Sequence, residues 1–387
     1  MPGFEDAYTL SVVIFIGALA LLVWRDRKNI EFHPFLIMRR TKKFRDVIDH
    51  VASSAPRFWK AVGTLGIIVA LVGMTYGIVL LAGVAQSITT GMVKQPALQF
   101  FLPGPGPTAV TGPGYVLLPF WIWLVIISTI LIPHELMHGI IARAENIPLR
   151  SVGLLLLLII PGAFVEPDEK KLQKAKLLAR LRVFAAGSFA NFATAGIALA
   201  LVALVVWPAS ASPAIGLNVT FVNESSPFAA AGITPGMMIT AIDGRPLTAS
   251  YWEYVGGNNF LSDELGKPQV GKPVTFTSDG KDYIIAPILN PATGNPWFGF
   301  YASFGEILHS ETAGFLVTMF TLLWILSSGV AIVNILPLKP LDGGLFLEAV
   351  ARKYAPKHSK LITKAVTLSV LGLLVFAFIG PGIWSFF

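Results

Sequence analysis

The stretch Ile132-Pro133-His134-Glu135-Leu136-Met137-His138-Gly139 places two histidines four positions apart, with a glutamate directly after the first, inside a strongly apolar run. On a helix, positions i and i+4 share one face about one turn apart. His134 and His138 can therefore offer two imidazole nitrogens to one tetrahedral Zn²⁺. Glu135 falls on the neighbouring flank, from which its carboxylate can reach a zinc-bound water without using a coordination position. That is the geometry a general base needs.

Working outward, the run from Tyr115 through Ala142 holds no ionisable residue except those of the motif. An apolar stretch longer than about 20 residues reads as a transmembrane helix, and ionisable groups at that depth are functional candidates. Pro133 lacks an amide donor and is expected to distort the helix at the mouth of the site. The whole chain agrees with a membrane setting. Of its 387 residues 54% are hydrophobic and 13% charged, with a mean hydropathy of +0.68, far too apolar for a soluble protein of this length. The 29 Lys+Arg against 22 Asp+Glu give +7, but in such a chain the placement of positive charge matters more than its sum, and nucleic acid is not implied as a partner. There is no cysteine, which removes disulfides and thiolate metal sites.

Six spans are expected, at about Ala7–Trp24, Val62–Ala85, the motif run, Val183–Trp207, Gly314–Leu336 and Leu361–Trp384. Between Arg25 and Lys60 ten Lys/Arg stand against four acids, and between Glu166 and Arg182 six stand against three. Both loops read as cytoplasmic, which puts both termini outside and the motif nearer the inner face. The segment from Val152 to Val165 is apolar but only about 14 residues long and is bounded by glycine and proline, so it reads as a re-entrant extended piece. It is either hydrophobic filler or an edge that holds an extended substrate by strand addition, with Gly162 at that edge. From Ala209 to Ser310 the character changes to a small β-rich module. Four basic residues there face nine acids, counting Glu311 at its end, which suits the non-cytoplasmic side. The expected domains are 1–114 (N-terminal helices and basic loop), 115–208 (first part of the catalytic core), 209–310 (the β-rich module), 311–350 (second part of the core) and 351–387 (C-terminal loop and helix).

Two histidines do not complete a catalytic zinc site; three protein ligands plus water are expected. The fifth span runs into Asn334-Ile335-Leu336-Pro337-Leu338-Lys339-Pro340-Leu341-Asp342-Gly343-Gly344, and it reaches the same depth as the motif. Asp342 is therefore either the third ligand or an N-cap of the short helix that follows. His309, at the other end of that span, is the remaining donor. Asn191, in the small-residue stretch Ala186 to Gly196, is either interhelical glue or a substrate contact.

Taken together, the HELMH motif of residues 134–138, Asn191 in a Gly-rich later span, and Asn334-Ile335-Leu336-Pro337 leading into Leu341-Asp342-Gly343 resemble the site-2 protease family of intramembrane zinc metalloproteases. The module's Ser226-Pro227-Phe228-Ala229-Ala230-Ala231-Gly232 and Ile242-Asp243-Gly244-Arg245 are similar to a bacterial PDZ domain. The fold expected is thus a polytopic α-helical membrane protein of about six transmembrane helices, with a re-entrant β-like segment and one PDZ-like domain. The resemblance implies one Zn²⁺ on His134, His138 and Asp342, Glu135 as base, and Asn191 as a catalytic and substrate contact. Gly162 and Asn334 are further expected contacts, and Gly216 and Leu217 form an anion nest for a peptide tail at the PDZ-like domain. The partners implied are a transmembrane protein substrate, that tail, and the lipid bilayer of a prokaryotic cell membrane. A zinc transporter and an inactive PDZ scaffold are the competing classes.

Overall fold

The computed structural model describes residues 2–33, 36–91, 96, 98–157, 160–209, 216–247, 268–290, 295–304 and 311–383. His309 lies outside the described residues. The chain opens with α1 (Pro2–Arg25), turns through a hairpin of β1 (Ile30–His33) and β2 (Leu36–Arg40), and continues as α2 (Lys42–Ser54) and α3 (Pro56–Thr89). A sheet of β3 (Phe100–Gly104), β4 (Val110–Gly112) and β5 (Tyr115–Pro119) leads into α4 (Phe120–Ala144). The hairpin β6 (Leu149–Leu157) and β7 (Ile160–Pro167) follows, then α5 (Glu169–Lys174) and α6 (Leu177–Ala209). The β-rich unit contains β8 (Leu217–Val222), α7 (Pro227–Ala230), β9 (Met238–Ile242), β10 (Arg245–Pro246), β11 (Val274–Ser278) and β12 (Lys281–Ile285). It ends with β13 (Ile288–Leu289), β14 (Pro296–Trp297) and β15 (Phe300–Phe304), before α8 (Glu311–Ile335), α9 (Asp342–Tyr354) and α10 (Ser359–Ile383). Six of the helices, α1, α3, α4, α6, α8 and α10, are long and apolar enough to cross a membrane. The protein is a polytopic helical membrane protein with a small β-rich domain.

Two features depart from the sequence reading. The run from Tyr115 is not helical from its start. Tyr115–Pro119 pairs in parallel with β3 and antiparallel with β4, and the helix begins only at Phe120. Pro119 ends the strand and sets the entry, because it has no amide to give to a ladder and its fixed φ suits a helix start. Pro133 then lies inside α4 without ending it. The basic loop after α1 also holds more than solvated charge. Its β1–β2 hairpin joins the re-entrant hairpin in one sheet of order β1-β2-β6-β7, with Ile37 opposite Leu156 and Arg40 opposite Gly153. The pairing supplies β6 with backbone partners along residues 153–157 of its outer edge. A non-helical segment packed among spanning helices requires such partners, since unpaired amides away from water are costly.

The membrane unit, Met1–Ala198 with Leu322–Phe387, is built around α4 and α6. Ile141, Ala142, Val183, Ala185 and Ala186 are buried together with Ile335 of α8 and Phe346 of α9. Ion pairs fix the end of α4. Arg182 Nη1 lies 2.5 Å from Glu145 Oε1, both side chains nearly closed to solvent at 16% and 11% exposure, and Arg182 Nε donates to Thr64 of α3 at 3.0 Å. Arg143 Nε donates to Asp49 of α2 at 2.5 Å.

The second unit, Leu199–Thr321, carries a sheet of order β12-β11-β9-β8-β15, with β10 on β9. Its core stacks Phe228 on Phe300 with centroids 4.0 Å apart and buries Val219, Ile239 and Phe276 completely. The peptide-tail contact expected at Gly216 and Leu217 falls at the start of β8. β8 is an interior strand, with Leu217 paired to Ile239 on one side and to Phe304 on the other. A side chain at Gly216 would meet Met238 Cγ at 2.5 Å. Among the described strands, β12 and β15 lie at the ends of this sheet.

Removing one partner of a pair as enclosed as Arg182–Glu145 leaves a buried charge unmatched, at a cost of about 3 kcal/mol. Glu145→Gln is expected to lower the unfolding midpoint of the purified protein in detergent. Adding Arg182→Met should recover part of the loss, as measured by thermal or SDS denaturation.

Candidate metal centre

The helical spacing of the motif does what it predicts. α4 turns both imidazoles to one side, and their Nε2 atoms stand 3.3 Å apart. The third donor comes from 204 residues further on. Asp342 Oδ2 lies 3.1 Å from His138 Nε2 and 3.3 Å from His134 Nε2. Asp342 does not cap the helix: the cap is Leu341, and Asp342 is the first helical residue of α9, its carboxylate turned to the histidines. Glycine makes this approach feasible, because a Cβ at Gly343 would collide with the carbonyls of Ile335 and Leu336 at the end of α8. Further along α9, Glu348 accepts from Lys339 Nζ at 2.6 Å and Arg352 Nη2 at 2.5 Å. Burial alone would raise the Glu348 carboxyl; the two cations outweigh it and hold the group below its ordinary value.

One stripe of α6, at i, i+4 and i+8, fits around the histidines. The Val183 carbonyl lies 2.7 Å from His138 Nδ1, so that nitrogen carries the proton and leaves the Nε2 lone pair free. Gly187 presses on the pair so closely that a Cβ there would collide with both Nε2 atoms. Asn191 is fully buried, and its side-chain amide lies 3.0 Å from His134 Nδ1. With Nε2 turned toward a cation, Nδ1–H donates, and the amide orientation that accepts it uses Oδ1. The two ends of such an amide are interchangeable by eye, and this orientation also satisfies Asn191 Oδ1, which otherwise has no partner among the described residues. Ser327 Oγ of α8 donates to the Asn191 carbonyl at 2.8 Å. The amide thus stands beside His134 and helps to orient its ring.

Glu135 sits beside the donors on the flank facing the hairpin, where its Oε2 accepts from the Val165 amide of β7 at 3.2 Å. Gly162 is three residues away on the same strand, opposite Leu155, and lines a groove next to α1. Asn334 is half-buried in the last turn of α8 and lines a separate apolar groove of about 840 Å³ with Trp123, Ile130 and Phe378. Sequence reasoning missed Val165 and Val183, which act through backbone atoms and leave no side-chain signature. It noted Gly187 only as a small residue, although a glycine four positions before a buried asparagine is a readable sign of close approach.

Tetrahedral zinc with bonds of about 2.0 Å has donor–donor edges of about 3.3 Å. The separations of 3.1–3.3 Å among the three donors match it, and two imidazoles with one carboxylate are a donor set that suits zinc. Such a cluster beside a glutamate, set among membrane-spanning helices, is the arrangement a membrane-embedded metallopeptidase would need. The chain belongs to peptidase family M50, the site-2 protease family, whose family model matches residues 122–378. Over 125 residues the chain is 31% identical to "Membrane-bound transcription factor site-2 protease homolog" of Arabidopsis thaliana. That match takes in 31% of this chain and 24% of the relative, so the chain spans about a quarter of that protein's length. Family M50 proteins are zinc metalloproteases.

Gly187→Ala puts a methyl group where both Nε2 atoms converge, so zinc quantified on the purified variant should fall well below one per chain. Asp342→Ala should do the same. Asn191→Ala leaves the ligands in place but frees the His134 ring, and metal affinity is expected to drop about 10–100-fold in a chelator competition.

Proposed function

We propose that this chain is a zinc-dependent endopeptidase that cuts transmembrane helices of membrane-protein substrates. The observation that carries the reading is the convergence of His134, His138 and Asp342 within hydrogen-bonding distance of one another, with Glu135 bridging from the same helix to the backbone of β7. A cation bound there supplies Lewis acidity and brings a water molecule into its nucleophilic range near neutral pH. The protein's own groups divide the remaining work. Glu135 takes a proton from the attacking water at its carboxylate and passes it to the departing amide nitrogen. The Val183 carbonyl and the Asn191 amide hold the two rings with their Nε2 atoms inward.

Among the described strands β7 is the end strand of its sheet, and it packs against α4 so closely that a Cβ at Gly139 would crowd Val165 Cγ1 at 3.0 Å. A substrate lying extended along that strand would pass Glu135. A helical substrate hides its carbonyls in its own hydrogen bonds, so sequences with Gly, Pro or Asn near the cut should be favoured, because those residues weaken a helix. In this reading the β-rich unit is a PDZ-like module on the non-cytoplasmic face of a prokaryotic cell membrane, where it gathers protein tails, and the metal centre lies nearer the cytoplasmic face. The charge asymmetry between loops supports that sidedness.

Glu135→Gln keeps the shape of the side chain and removes its basicity. It should retain stoichiometric zinc while cleavage of a single-span helical substrate in proteoliposomes falls at least about a hundredfold. Full activity with zinc in place would remove Glu135 from the role.

A further inference from the structure

A groove of about 640 Å³ opens on the α1 side of the β1-β2-β6-β7 sheet. None of the four side chains of the metal centre lines it, and it stands independently of the proposed proteolysis. One wall is a single face of α1, with Phe15, Leu19, Leu22 and Val23 at i, i+4, i+7 and i+8. The facing wall is Ile37 of β2 with Leu154, Leu155 and Leu156 of β6. One end alone is charged, with Arg25, Asp26 and Arg39.

The charges at that end are not balanced. Asp26 is already committed, to Arg39 and to the Asn29 amide at 2.6 Å. Arg25 makes no ion pair or hydrogen bond with another described residue. The mouth therefore carries one uncompensated positive charge, with Lys28 close by in sequence. Its depth can also be read. Trp24 is 62% exposed and has the Arg27 guanidinium 4.9 Å from its ring centroid; exposed Trp with Arg at a helix end marks the headgroup level of a bilayer. From Phe15 to Arg25 a helix rises about 15 Å, which is half of a hydrocarbon core of about 30 Å. The groove is one leaflet deep, apolar toward the bilayer centre and basic at its surface.

We infer that this groove holds one anionic phospholipid, its phosphate on Arg25 and an acyl chain between α1 and Leu154–Leu156. A transmembrane helix would need a groove two leaflets long. A zwitterionic lipid would bring its own cation to an already positive mouth. The bound lipid packs against the hairpin whose second strand reaches Glu135 through Val165, and so bears on the position of that strand.

The test is native mass spectrometry of the full chain in detergent micelles containing palmitoyl-oleoyl phosphatidylglycerol or the corresponding phosphatidylcholine. One phosphatidylglycerol should be retained in preference to phosphatidylcholine. Arg25→Gln should cut that preference about fivefold, the effect of one cation at an anionic membrane surface. Val23→Trp, which fills the groove, should abolish retention of both lipids, and zinc content should stay unchanged in both variants. Equal retention of the two lipids by the unaltered protein, or retention of phosphatidylglycerol that neither variant changes, overturns the assignment. So does a photo-crosslinker at Leu19 that captures a single-span helical peptide in preference to phospholipid.

Discussion

Two imidazole lone pairs and a carboxylate, brought within 3.1–3.3 Å of one another inside a bundle of apolar helices, are the constraint to which the rest of the membrane unit answers. Burying so many polar atoms together is costly. The surroundings hold them together nonetheless. The Val183 carbonyl fixes one ring and the Asn191 amide the other. Ser327 ties the Asn191 backbone to the helix that leads to Asp342. Each outer contact comes from a different element than the donor it steadies, so the centre cannot shift without moving α4, α6 and α8 together.

That arrangement explains why α6 carries a glycine at the point of closest approach. A helix that must bring a carbonyl to His138 and an amide to His134 passes directly over the space between the two Nε2 atoms, and only a residue without Cβ fits there. The same logic governs α9, whose first turn rests on the last carbonyls of α8 because residue 343 is glycine. In both cases the missing side chain is what lets a distant functional one arrive.

Much of this was legible in the sequence, and the boundary of legibility is physical. The four-residue spacing of His134 and His138 fixes a shared face whatever surrounds it, and apolar runs of spanning length declare themselves. The extended nature of residues 152–165 also followed, since a short apolar stretch bounded by Gly and Pro cannot span as a helix. Hidden from view were contacts made by backbone atoms, such as the Val165 amide and the Val183 carbonyl, and strand pairings between segments more than a hundred residues apart. The β1–β2 hairpin was masked by its charges, Arg39 and Arg40, which decorate a ladder whose apolar members face Leu155–Leu157. The pairing of β8 on both sides, with β9 and with β15, was likewise not to be read from its own residues.

The hydrogen bond from Val165 to Glu135 links the two halves of the chemistry. A carboxylate that accepts from a backbone amide is held in place, so the resting contact restrains the group that the proposed reaction needs as a base. A substrate strand laid along β7 competes for that edge, because the outward amides of an end strand are what an added strand pairs with. Its docking would loosen the hold on Glu135 as the scissile bond arrives. For the proposed peptidase the hairpin would be both the seat for the substrate and the restraint on the base. The two roles are inseparable because a single amide, on the edge strand at residue 165, serves both.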